Sequence, residues 1–319
     1  MKMAAYIAFL LLGLIWGSNF IFVKWAVVSI SPLQIVLLRV VFGFLPVAAF
    51  ALFKGALDWR HLRHAHHFLV MSLMATAVYY LAFAKGTALL PSSLAGMLSG
   101  AIPLFTFVCA WLLLRDEPLN LRSAAGVALG FLGVLLIAQP WQGDTSQINL
   151  AGVLYMIAGS LSVGCSFVYA RKFLSPLKLS PLALTTYQIG FALVILLAVT
   201  DLNGLSAIFA DTRASVGLVL GLGLLGTGFA YIVYYYIVQE LGAVAASGVT
   251  YIPPVVALVI GTAWAGEVVT ILDIIAMAAI LLGVWILQSG RNGAMSQKRA
   301  PAAQSVSSAL VRAGKRTQP

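Results

Sequence analysis

The 319-residue chain is 61% hydrophobic and 9% charged, with a mean hydropathy of +1.01, where a soluble domain carries about 25% charged residues. Such a surface is not built for water, which excludes an ordinary soluble enzyme or binding module. The formal net charge of +10 sits in loops and a tail beside apolar runs, so it points to anionic lipid headgroups and not to nucleic acid.

In chain order, nearly uncharged runs long enough to cross about 30 Å of hydrocarbon lie at 4–23, 33–53, 68–84, 93–114 and 121–139, then at 150–170, 182–199, 214–238, 244–265 and 271–288. Lipid cannot satisfy backbone donors and acceptors, so each run is expected to be a helix. The first follows Lys2 without a small-residue cleavage site leading into a soluble domain, and reads as a retained helix. If the amino terminus is cytoplasmic, Lys24, Lys85 and Arg213 fall outside, Arg39 lies within a span, and every other Lys and Arg falls inside. The expectation is an inner-membrane, multi-pass protein with both termini cytoplasmic. Residues 290–319 are basic, rich in Ala, Ser and Gln, and free of acids, which reads as a disordered tail near the anionic inner leaflet.

Cys109 and Cys165 fall inside spans and read as buried apolar thiols. His61, His64, His66 and His67 crowd a loop with Trp59, Arg60 and Arg63; with Asp58 the lone acid, an interfacial amphipathic segment explains them better than a metal site.

The halves resemble each other at an offset of about 150 residues. Ser18 and Lys24 match Ser166 and Lys172; Ser31-Pro32-Leu33 matches Ser180-Pro181-Leu182; Pro103 matches Pro253; Glu117 matches Glu267; Leu132-Gly133-Val134 matches Leu282-Gly283-Val284. Five spans per copy make the second copy enter from the opposite side, so the repeat is inverted. The reading is an all-α integral membrane protein of ten transmembrane helices in two inverted five-helix repeats, residues 1–140 and 150–289, followed by the tail 290–319. Inverted repeats are a transporter architecture with the site where the copies meet.

Trp16-Gly17-Ser18-Asn19-Phe20 with Lys24, then Arg39, Pro103, Trp111, Arg115-Asp116-Glu117-Pro118, Tyr234 to Tyr236, Leu241-Gly242, Pro253 and Gly266-Glu267 resemble the EamA family of the drug/metabolite transporter superfamily. The resemblance spans residues 3–289. Gly164 and Cys165 replace the Trp-Gly-like pair in the second copy, so no role of Trp16 carries over there. The resemblance implies secondary transport, often export, of amino acids or other small metabolites, with sugar, nucleotide-sugar and drug carriers among its relatives.

Arg39 is the formal charge placed well inside a span, about 9 Å below Leu33 at 1.5 Å per residue. It is either an anchor for a carboxylate substrate or a residue that snorkels to the interface or braces carbonyls. Asn19 suits a lining position or an interhelical bond, and Trp16 shares its face. Tyr79 with Phe83, and Tyr231 with Tyr235, form aromatic stripes on corresponding spans that serve packing or line a pocket. Ser99 and Tyr251 flank Pro103 and the pair Pro253 and Pro254, which interrupt corresponding spans near their middles, either as packing kinks or as bends that gate a cavity. Lys24 and Lys85 read as interface anchors.

All nine acids lie in loops or at span ends, so a buried carboxylate proton carrier is lacking and facilitated transport or exchange is expected. No span centre holds His, Asp or Glu, which leaves an intramembrane enzyme without acid–base or metal chemistry. A channel would need a continuous lined pore. The sequence thus reads as a monomeric carrier, without cofactor or metal, exporting neutral or aromatic amino acids by alternating access. Cationic drugs and sugars or nucleotide sugars are the alternatives.

Overall fold

The computed structural model describes residues 2–114, 120–145, 148–241 and 248–290. Ten helices of membrane-crossing length follow one another: α1 (Met3–Ala26), α2 (Pro32–Phe53), α3 (Trp59–Leu89), α4 (Ser92–Leu113), α5 (Leu121–Gln142), α6 (Leu150–Leu177), α7 (Pro181–Val199), α8 (Thr212–Tyr234), α9 (Gly248–Ala265) and α10 (Ile271–Gly290). The chain is a multi-pass membrane protein. No strand occurs among the described residues. The tail from 291 onward lies outside them.

Each expected span is present, with the largest shift at the start of α3. There the Asp58 side chain accepts the Arg60 N–H at 2.8 Å and starts a 3-10 turn, Trp59–His64, that runs on into the helix. The histidine-rich segment is thus the first turns of a span. His67 Nδ1 pairs with the Tyr169 hydroxyl at 2.7 Å, tying it to α6.

The Ser-Pro-Leu triplets are the starts of the second helix in each copy. Ser31 accepts the Gln34 N–H while the Gln34 side chain accepts the Ser31 N–H, and Pro32 takes the first helical position, where no N–H is missed. Ser180 caps α7 through the Ala183 N–H, with Pro181 in the same place.

The packing maps onto itself when the copies are exchanged. Helix α2 packs on α8, as α7 packs on α3; α3 packs on α6, as α8 packs on α1; α1 packs on α9, as α6 packs on α4. Helices α2 with α7 and α4 with α9 pair with their own equivalents. So do α5 and α10, whose backbones touch where Gly126 and Gly130 meet Gly283, the close approach that small residues permit in lipid. This is the pattern of two inverted five-helix repeats.

Large apolar side chains such as Leu10, Leu45 and Val194 are exposed along the helices, as a lipid-facing surface requires. Exposed Trp59, Trp111 and Trp285 lie toward one end of the bundle and Trp141 and Trp264 toward the other, where indoles mark the two interfaces.

Two helical irregularities shape the interior. Helix α4 breaks between Ser92–Ser99 and Ile102–Leu113, with Pro103 in the first turn of the second piece. Pro253 and Pro254 also sit in a first turn, that of Ile252–Ala265 after the 3-10 turn Gly248–Tyr251, so they lie near the start of described α9 and not at its middle. The corresponding helices α3 and α8 carry π-helical stretches, Leu73–Ala77 and Gly217–Phe229. Such stretches release carbonyls from the i−4 ladder.

Candidate functional site

Consecutive helices cross in alternate directions, so Ala26, Leu89, Ser92 and Glu267 share one end of the bundle, here the far end. Met3, Phe53, Leu113 and Gly290 share the near end. A cavity of about 480 Å³ lies between the copies, walled by α1 to α4 from the first and α6 to α9 from the second. Its lining reaches Leu114, Arg171 and Ser175 at the near end, where Arg171 and Ser175 are exposed. Toward the far end it stops at Val23, Ala84 and Thr87, all buried. The cavity therefore opens at the near end.

Of the expected site residues, Trp16, Asn19, Arg39, Tyr79, Phe83, Ser99 and Tyr231 line this cavity, as does Pro253. Tyr251 does not: it packs against the apolar cluster around Leu98 and Ala257, while its neighbour Thr250 faces the cavity. Pro103 and Pro254 are absent from the lining. The side chain of Tyr235 lies outside the described part of the structure.

Arg39 is 5% exposed, so it neither snorkels nor reaches lipid headgroups. Its Nε donates to Thr227 Oγ1 at 3.2 Å, and its guanidinium stands 3.7 Å from the centre of the Tyr80 ring. Neither partner carries negative charge. The Thr227 hydroxyl in turn donates to the Leu222 carbonyl at 2.9 Å, five residues back, a bond that the π-helical stretch of α8 makes available. A polar wall continues from there. The Tyr80 hydroxyl donates to Tyr231 at 3.4 Å, Tyr231 donates to the Ala75 carbonyl at 3.3 Å, and Gln188 Nε2 donates to Thr76 Oγ1 at 3.0 Å. Ala75 and Thr76 belong to the π-helical stretch of α3.

Across this wall Asn19 presents a buried Oδ1 that has no hydrogen-bond partner among the described residues. It lies against Gly226, where an added Cβ would meet Oδ1 at 2.5 Å, so glycine is needed for the close approach. Gly226 and Thr227 are adjacent, which brings the unpaired amide oxygen and the Arg39 guanidinium to one stretch of α8.

Aromatic rings make the rest of the wall. Tyr79 and Phe83 meet edge-to-face with centroids 4.6 Å apart, Phe20 stands 6.1 Å from Phe83, and Trp16 lies 5.8 Å from Tyr234. Tyr80 and Gln188 were not singled out in the sequence, and Tyr234 only within the family resemblance and not as a site residue. Tyr80 and Tyr234 sit beside the stripe residues that were, and Gln188, an amide buried mid-span, carries the same signal as Asn19.

Lys24 departs from its expected place at the lipid interface. Its Nζ turns inward and donates to the carbonyls of Thr87 at 3.3 Å, Ala88 at 3.4 Å and Leu90 at 2.8 Å. Lys85 keeps the simpler arrangement, its Nζ 5.3 Å from the Tyr155 ring centre. Cys109 and Cys165 face each other behind the wall, Sγ to Sγ at 2.7 Å.

Known proteins agree with this architecture. The EamA-like transporter family matches residues 3–139 and again 150–288. An uncharacterized transporter of Archaeoglobus fulgidus is 23% identical over 85% of this chain and 94% of its own. The uncharacterized inner membrane transporter YedA of Escherichia coli is 26% identical over 88% of this chain and 89% of its own. A crystal structure 20% identical in sequence, covering 89% of this chain and 98% of its own, has a TM-score of 0.55, which speaks to the fold. With both halves matched and a cavity formed where they meet, the chain belongs to the EamA-like transporter family.

Proposed function

We propose that this protein is a secondary carrier that exports neutral or aromatic amino acids across the inner membrane by alternating access. The observation that carries the reading is Arg39: a buried cation in a cavity wall, held by a hydroxyl and a ring and, among the described residues, by no carboxylate. A charge at mid-membrane depth costs about 2.5–3.5 kcal/mol even on permissive scales, and a bound carboxylate offsets that cost. The Oδ1 of Asn19, an acceptor with no donor among the described residues, suits the ammonium of the same ligand. Rings of Trp16, Tyr79 and Phe83 supply the apolar surface for its side chain. In this reading Arg39 orients the carboxylate, Asn19 the ammonium, and the helix breaks at Pro103 and Pro253 allow the walls to rearrange.

The distribution of Lys and Arg supports a cytoplasmic near end, so the cavity is open to the cytoplasm, the loading side for export. Headgroups of the anionic inner leaflet accompany that end. A cationic compound would find the same rings but would meet the Arg39 charge, and a free sugar would leave that charge uncompensated.

The test is counterflow into proteoliposomes with labelled amino acids, sugars, nucleotide sugars and cationic dyes. Saturable exchange of neutral or aromatic amino acids is expected, and Arg39→Gln should reduce it about 10- to 100-fold, the worth of a charged hydrogen bond, with the protein still abundant in the membrane. Exchange by Arg39→Gln at the parental rate and affinity would make Arg39 structural and remove the carboxylate anchor.

A further inference from the structure

We propose that Lys24 and Glu267 are the closure of the far end: together they clasp the turn between α3 and α4, and the cavity opens on that side only when they let go. The proposal rests on the carrier reading for its role in transport. Its structural basis is the short link between α3 and α4, which is Leu90 and Pro91. Pro91 has no N–H, so the Thr87 carbonyl loses the partner four residues on. The Ala88 carbonyl loses its own too, because the Ser92 N–H is directed elsewhere. Lys24 Nζ takes both carbonyls and that of Leu90 as well.

The other half of the break is held from the second copy. Glu267 Oε1 accepts the Ser92 N–H at 2.6 Å and the Ser92 hydroxyl at 2.8 Å, and Oε2 accepts the Ser93 N–H at 2.8 Å. A cation thus sits on the end of α3 and an anion on the start of α4, each opposite the helix dipole that favours it. The carboxylate arrives there because Gly266 ends α9 at φ +64° and redirects the chain. The two charges also attract one another.

Three elements, α1, the α9–α10 link and the α3–α4 turn, are thereby fastened just beyond Thr87, where the cavity stops. The equivalent lysine of the second copy makes no such bonds among the described residues. Lys172 is exposed near the open mouth, its Nζ 5.4 Å from the Phe173 ring centre. Of the two equivalent lysines, Lys24 is engaged where the cavity is shut, and Lys172 meets only a ring, among the described residues, where it is open; such an asymmetry is what alternating access by exchange of repeat conformations requires.

The experiment reads closure without substrate. Ala84→Cys, in a chain carrying Cys109→Ala and Cys165→Ala, places a thiol in the buried lining near the far end, and a membrane-impermeant charged methanethiosulfonate is applied to the outside of spheroplasts. Labelling should be slow in the parent and faster by about tenfold or more in Glu267→Gln and in Lys24→Met, since loss of charge-assisted bonds shifts the population toward the open far end. Ser92→Ala, which removes one bond only, should give a smaller rise and serves if either charge variant fails to accumulate. The double swap Lys24→Glu with Glu267→Lys would restore slow labelling if the residues were a simple ion pair; with each charge on the wrong helix end, fast labelling is expected. Parental labelling rates in all the single variants, or restoration by the swap, would overturn the proposal. A parent that exchanged nothing in counterflow would instead defeat the carrier reading and leave the labelling contrast standing.

Discussion

At the far end a lysine from one copy and a glutamate from the other hold the broken backbone between α3 and α4; at the near end the equivalent lysine, Lys172, reaches only a neighbouring ring among its described contacts. The comparison teaches that a lysine alone does not close an end. At the far end, closure comes from charged side chains set on carbonyls orphaned by a proline and on N–H groups left free at a helix start. The cavity differs from both ends, since among the described residues its cation meets no carboxylate and the Asn19 Oδ1 no donor.

The comparison is broken most directly by removing each lysine in turn. Lys24→Met should lower stability by about 1–3 kcal/mol by leaving buried carbonyls unpaired, while Lys172→Met should stay within about 0.5 kcal/mol as an exposed substitution. Thermal unfolding in detergent micelles measures both, and equal midpoints would show that the two ends do not differ. A second change sharpens the distinction between closure and binding. Gly226→Ala sets a methyl against Asn19 Oδ1 and should raise the half-saturation concentration for amino-acid exchange about five- to tenfold, about 1 kcal/mol, without altering far-end labelling. A change in labelling instead would place Asn19 in the gate.

Ser92→Ala should cost about 0.5–1.5 kcal/mol, one hydrogen bond to Glu267, by the same unfolding measurement. The smallest effect concerns pH. Burial alone would lift the Glu267 carboxyl, but hydrogen bonds from Ser93 and Ser92 outweigh it and hold the group below the usual carboxylate range, with Lys24 the charged neighbour. A group depressed in the folded state stabilises fully above its ordinary value and loses that contribution as pH falls through the lower folded one. Far-end labelling, corrected for the thiolate fraction of the probe cysteine, should therefore be flat from about pH 8 to 5 and rise only below about pH 4. A rise near neutrality would mean that another group controls the end.

Much of this fold was legible because its signals are local. Ser31-Pro32 and Ser180-Pro181 mark the start of the second helix in each repeat through capping chemistry that acts within one turn, and Gly133 and Gly283 mark equivalent places on the α5–α10 pair. Arg39 was legible as a charge in the wrong solvent. The clasp was not: Lys24 looks like any interfacial lysine, and Glu267 like any loop acid, until the chain brings each to backbone atoms far away in sequence. The π-helical stretches left no residue signature either, and with them the carbonyl that holds Tyr231 was hidden. Arg115 to Pro118, prominent in the sequence resemblance, and Glu117 among them, lie outside the described residues.

The two-residue link between α3 and α4 has a mechanical consequence. Leu90 is 1% exposed and Pro91 is rigid, so this connection has no slack with which to absorb a shift of one helix against the other. The two helices must travel at that end as a single lever. Within the lever, the compliant point is the break in α4 after Ser99, whose hydroxyl bonds the Gly96 carbonyl at 2.6 Å and whose side chain borders the cavity. Rocking of the lever would thus be felt by a ligand through Ser99 before it reached either membrane surface.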